Sequence, residues 1–111
     1  GLDDVAPDLL AFAKRLKALI EQLRDPERTG VVVVTLSDEL AARETDRLLD
    51  RLRTGRPPLA AVLLNRVRPG SPTTIEGRHA DGHLTVLAPE TSPPPTGFER
   101  LRHFAARWIA P

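Results

Sequence analysis

Two side chains in this sequence have the type and the setting to do chemistry. Asn65 closes the short apolar run from Leu59 to Leu64, and the carboxyl end of a strand is where open parallel sheets bind their ligands. Its amide offers a donor and an acceptor, the pair needed to read the edge of an adenine ring. A turn asparagine satisfying its own backbone fits the same position, so spacing alone leaves both readings open. Pro89, just beyond a later apolar run, falls near Asn65 on the same rim. Glu44 lies three residues after Ala41 and four before Leu48, on the stripe of Leu40, Ala41, Leu48, Leu49 and Leu52. A carboxylate on a buried stripe needs a partner, because an unpaired buried charge costs several kcal/mol, roughly. Glu44 either reaches Arg47 or Arg51 on its own helix or serves as the charge partner of a lysine or arginine across a site or subunit boundary.

Other chemistries find little support. His79 and His83 are four apart with Asp81 between them, but Gly77 and Gly82 flank the segment and no helical periodicity runs through it. A solvated loop is expected there and no metal site. No serine belongs to a histidine-acid relay, and no nucleophile elbow occurs. There is no G-x-x-x-x-G-K-[ST] loop either, since the only lysines are Lys14 and Lys17. No residue is assigned a catalytic role.

Composition narrows the classes further. Sixteen Lys+Arg stand against 15 Asp+Glu for a net charge of +1, so nothing calls for a nucleic-acid partner. The chain has no cysteine, which excludes disulfides and thiolate metal sites and fits a reducing compartment; a cytoplasmic location is expected. No apolar run approaches the roughly 20 residues of a spanning helix.

The elements that position Asn65 and Glu44 can be read from periodicity. Leu9, Phe12, Ala13, Leu16, Leu19, Ile20 and Leu23 share one helical face, opened by Asp4 or Asp8 and ended at Asp25-Pro26. Val31 to Leu36 is a β-branched run apolar on both faces, as in an interior parallel strand. Ser37 is the expected cap of a second helix running to about Arg53 and stopping at Thr54-Gly55. Its four arginines, Arg43, Arg47, Arg51 and Arg53, alternate with Asp46 and Asp50 on a salted outer face. Leu59 to Leu64 and Leu84 to Leu87 complete three strands. Arg68 to Gly82 is expected to be a flexible loop, with a short hairpin around Ile75. Thr96 and Glu99 have capping-box spacing for a last helix through Ala110. This order argues an α/β fold in a single domain spanning residues 1–111.

Three strands make a thin sheet, and both outer strands are as hydrophobic as interior ones; such edges need neighbours. The chain contains no methionine and begins at Gly1. Together these features favour a piece of something longer, with more sheet supplied from elsewhere.

The stretch from Asp25-Pro26 through Thr29-Gly30-Val31-Val32-Val33-Val34-Thr35, then Glu39-Leu40 and Arg43-Glu44-Thr45-Asp46-Arg47-Leu48, resembles the ArsA-like ATPases. These include arsenite-pump ATPases and the targeting ATPases for tail-anchored membrane proteins. Their pattern is D-P-x-x-T-x-F-V-x-V-T followed by P-E-x-x-x-x-E-T-x-R-L; here Ser37-Asp38 replaces the usual proline before the glutamate, and Arg43 an aromatic. The likeness continues through Val62-Leu63-Leu64-Asn65-Arg66-Val67, Leu87-Ala88-Pro89 and Gly97-Phe98-Glu99-Arg100-Leu101.

The resemblance implies part of a Rossmann-like P-loop NTPase, a parallel sheet flanked by helices. It matches Asn65 to the asparagine that contacts adenine, Ala88 and Pro89 to the loop packing on the base, and Glu44 to an acid near the nucleotide-loop lysine and the dimer interface. It implies ATP with Mg²⁺ as cofactor, an N-terminal ATPase portion carrying the phosphate loop, a homodimer and a membrane-protein partner. These 111 residues alone are not expected to hydrolyse ATP. The competing reading is a non-catalytic module that pairs with a partner protein through an exposed sheet edge.

Overall fold

The computed structural model describes residues 2–71 and 83–110, the first three of them as backbone. Helix α1 (Leu2–Arg24) is followed by strand β1 (Val31–Thr35), helix α2 (Glu39–Gly55), strands β2 (Leu59–Val67) and β3 (Leu84–Pro89), and helix α3 (Phe98–Ala105). The strands form one parallel sheet in the order β1-β2-β3. This is an α/β arrangement, with the β-branched and leucine-rich runs in strands as their composition requires. The loop expected over Arg68 to Gly82 falls within the described residues only as far as Ser71. That short part turns back on itself, the N–H of Ser71 donating to the carbonyl of Arg68 at 3.0 Å. The hairpin around Ile75 and the His79 side of the histidine pair lie outside the described residues.

The core is small and one-sided. Val33, Leu49, Val62 and Leu64 form it, joined by half-buried Val31, Leu52, Leu59, Val67 and Leu87. The register aligns Val33 with Val62 and Thr35 with Leu64, which fixes one face of β1 and β2 toward α2. Helix α2 meets that face with Ala41, Thr45, Leu49 and Leu52, positions spaced by four, four and three residues. Thr35 and Thr45, both buried, have hydroxyls 2.6 Å apart, and the Thr45 hydroxyl lies 2.7 Å from the carbonyl of Ala41. Thr45 has one proton, which it donates to that carbonyl, so Thr35 must be the donor to Thr45. This relay ties α2 to the carboxyl end of β1.

Helix α1 does the opposite: every residue from Val5 to Arg24 is exposed, including the whole apolar stripe that periodicity places on one face. The radius of gyration is accordingly 19.2 Å with extents of 65 × 34 × 26 Å, against about 13 Å for a compact chain near this size.

Several boundaries differ from those read in the sequence. Asp38, not Ser37, caps α2, its carboxylate accepting the Ala41 N–H at 2.8 Å. The helix stops at Gly55 as expected, but the left-handed cap is Arg56 and not the glycine, at φ 65° with its N–H donating to Leu52; Pro57 disfavours helix in the residue before it. Helix α3 starts at Phe98 with Gly97 as its cap at φ 77° and no side-chain capping bond, so Thr96 stands outside and no capping box forms. The helix also stops early, because Ile109 pairs antiparallel with Leu87 and exchanges two hydrogen bonds of 2.7 and 2.9 Å with it. The outer edge of β3 thereby gains a neighbour within the chain, whereas β1 is a free edge among the described residues.

Candidate functional site

Strand β2 breaks its ladder at the residue singled out in the sequence. Leu64 aligns with Leu87 and Val67 with Pro89, so Asn65 and Arg66 on β2 stand against the single residue Ala88 on β3. Two residues opposite one is a β-bulge, a device that re-aims side chains and is over-represented beside active sites. Arg66 takes the left-handed conformation at φ 57°. The Oδ1 of Asn65 accepts the Arg66 N–H at 3.0 Å. That bond uses one lone pair of the amide oxygen; the other, and the Nδ2 donors, have no protein partner among the described residues.

The bulge opens onto a cleft of about 350 Å³ at the carboxyl ends of the strands, lined among others by Leu36, Asp38, Asn65, Arg66, Arg68 and Glu90. Its size is within the roughly 300–1,000 Å³ of small-ligand sites. The floor comes from the end of β1 and the cap of α2, the wall from the bulge, and the far side from the residue that follows β3. Arg66 donates to Glu90 Oε1 at 3.2 Å, and Arg68 grips the same carboxylate as a fork, through Nη2 to Oε1 at 3.0 Å and through Nε to Oε2. The hydrogen bond from Arg68 is the first cause holding the Glu90 carboxyl below its ordinary range, opposed by desolvation and aided by Arg66. Arg68 is raised by the same bond. A backbone bond from the Glu90 N–H to the Val67 carbonyl at 2.9 Å runs alongside.

The residues expected to act together are brought together only in part. Asn65 lines the cleft. Ala88 sits opposite the bulge but is fully buried, and Pro89 is half-buried immediately before Glu90, so Glu90 is the member of that segment whose side chain lines the cleft. Glu44 is elsewhere. It is not on the buried stripe: its side chain is 61% exposed and pairs with Arg47 at 2.9 Å. The physical reason is a register error of one helical position, about 100° of rotation; Thr45 takes the inward place, and Leu40, Glu44 and Leu48 form a bare strip beside β1. Glu44 borders a separate hollow there with Val34, Leu36 and Leu48. The outer face of α2 is salted as expected, with Arg43 paired to Glu39 and Arg53 to Asp50 at 3.6 Å.

Glu90 and the two arginines were missed in the sequence because 24 and 22 residues separate Arg66 and Arg68 from Glu90. No local spacing joins them; only the pairing of β2 with β3 does. The one sequence signal was the charge that follows each strand's apolar run.

A three-strand parallel sheet flanked by helices, with a ligand-sized cleft at its carboxyl edge, is consistent with part of a Rossmann-like P-loop NTPase fold. The anion-transporting ATPase (ArsA ATPase) family matches residues 2–82, and the chain belongs to that family. Its members use nucleotide with Mg²⁺. No curated protein gives a significant match. Among the described residues no helix is long and apolar enough to cross a membrane.

The residues present fit one end of such a nucleotide. An uncommitted Nδ2 and a free lone pair on Asn65 suit the donor and acceptor of an adenine edge. For the phosphates the chain supplies no glycine-rich lysine loop, and both lysines sit on the exposed α1.

Proposed function

We propose that this chain is the adenine-binding, C-terminal part of an ArsA-like ATPase, with Asn65 reading the base, Pro89 and the backbone at Ala88 forming the wall behind it, and ATP with Mg²⁺ bound in full only with the portion that carries the phosphate loop. The observation that carries the reading is the bulge that turns Asn65 into a strand-end cleft in a chain of this family. Hydrolysis, and its coupling to transport of an anion or targeting of a membrane protein, belongs to that complete assembly in the cytoplasm. Glu44, on the bare strip beside the free edge of β1, faces that missing portion or a second protomer.

A competition titration tests the base assignment. The chain should prefer adenosine to guanosine, and Asn65→Ala should bring the two to parity, a loss of about tenfold for one bidentate amide contact. Equal binding of both nucleosides by the unmodified chain would count against the reading.

The edge of β1 that is free among the described residues, and the exposed Val32 and Val34 beside it, favour a second reading, a non-catalytic module that pairs with a partner protein by adding a strand. A folded chain that captures a partner while ignoring every adenine compound would support it.

A further inference from the structure

Resting on the adenine reading of the cleft, the geometry points to a specificity device in it: Glu90 engages both Arg66 and Arg68 and, together with Asp38, balances their charge, so the site takes the uncharged nucleoside end of its ligand and is indifferent to phosphate. Two arginines at a cleft mouth are ordinarily the residues that hold a phosphate, through forked charge-assisted hydrogen bonds. Here both guanidiniums are already engaged by one carboxylate, Arg68 through its fork and Arg66 through Nη2. Asp38, the remaining charged group of the lining, is committed to the α2 cap through its bond from Ala41. The lining therefore carries two positive and two negative side chains, Arg66 and Arg68 against Asp38 and Glu90.

The two arginine side chains are 63% and 68% exposed while Glu90 is 27% exposed, so the carboxylate is the inner group and the guanidiniums close over it from the solvent side. A phosphate approaching the mouth meets arginines whose inner donors are taken and an anion behind them. The same knot also spans the bulge, joining Arg66 of β2 and Arg68 just past its end to Glu90 just past the end of β3, beside Asn65.

The test is the ratio of affinities for ATP and adenosine, by equilibrium titration of the chain at low salt without Mg²⁺. The unmodified chain should bind the two within about threefold, with little salt dependence, since no counterions are exchanged by a neutral mouth. Glu90→Gln frees both arginines and should shift the ratio toward ATP by about tenfold, the worth of one charge-assisted bond. The double variant Arg66→Gln, Arg68→Gln leaves Glu90 bare and should shift it the other way. Opposite signs separate a charge device from loss of structure, which would weaken both ligands together.

A ratio unmoved by Glu90→Gln in a chain that still binds adenosine overturns the device alone. So does an unmodified chain that already prefers ATP by more than about tenfold. A chain that binds neither compound overturns the adenine reading itself, and the device with it. If Glu90→Gln does not fold, the unmodified chain decides: near-equal binding of ATP and adenosine supports the device, and a preference for ATP above about tenfold overturns it.

Discussion

Helices α1 and α2 are both amphipathic, but α2 buries Thr45 and Leu49 against the sheet while no described side chain of α1, from Val5 to Arg24, is buried. The difference lies in what each is tethered to. Helix α2 is the crossover between two adjacent parallel strands, β1 and β2, so its two ends are fixed over the sheet it covers. Among the described residues helix α1 is held at its C-terminal end, by a turn in which the Thr29 and Arg28 N–H groups donate to the Asp25 carbonyl and the Thr29 hydroxyl to that of Gln22. An apolar stripe specifies that a helix must be covered; only connectivity specifies by what. The stripe of α1 and the exposed Val32, Val34 and Leu84 of the sheet are surfaces shaped for cover that the described residues of this chain do not give.

The contrast predicts unequal costs for equal truncations. Leu49→Ala should destabilise the chain by about 2–5 kcal/mol, the range for a buried leucine, and Leu16→Ala by less than about 0.5 kcal/mol, both read from urea midpoints. Equal losses would break the comparison. Thr45→Val keeps the shape of the α2 contact but leaves the buried Thr35 hydroxyl without its acceptor, for a loss of about 1–3 kcal/mol; the same substitution at the exposed Thr54 should be nearly silent. At the other edge, Ile109→Pro removes the donor to the Leu87 carbonyl and should cost about 1 kcal/mol. If β3 then behaves like the bare β1, the chain will self-associate, which sedimentation detects.

The smallest effect is that of pH. Because Arg68 donates to the ionised Glu90, the folded carboxyl titrates below the ordinary range. Its contribution is present above the unfolded value and is lost as pH falls through the lower folded one. Carboxyl-carbon NMR should place the Glu90 midpoint below the usual glutamate range, and Arg68→Gln should move it up.

The sequence made the three strands, their parallel character and the rim position of Asn65 legible, because β-branched runs and strand-end polar residues are local signals. Hydrophobic patterning puts Glu44 on the wrong face because Leu40 and Leu48 share its stripe; both are exposed, and the two threonines that really join α2 to β1 are polar, so the pattern passes over them. Periodicity makes the last helix too long for a related reason. Residues 106 to 110 have helical composition, but the unpaired edge of β3 offers Ile109 two backbone bonds that no propensity scale contains. The Glu90 knot depends wholly on strand pairing.

The account depends most on Asn65 facing a purine, and amide mapping tests that directly. Adenosine added to the ¹⁵N-labelled chain should shift the Asn65 side-chain amide and the backbone signals of Arg66 and Glu90, and leave those of α1 in place. Shifts confined to α1 or the β1 edge, with the Asn65 amide unmoved at saturation, would contradict it.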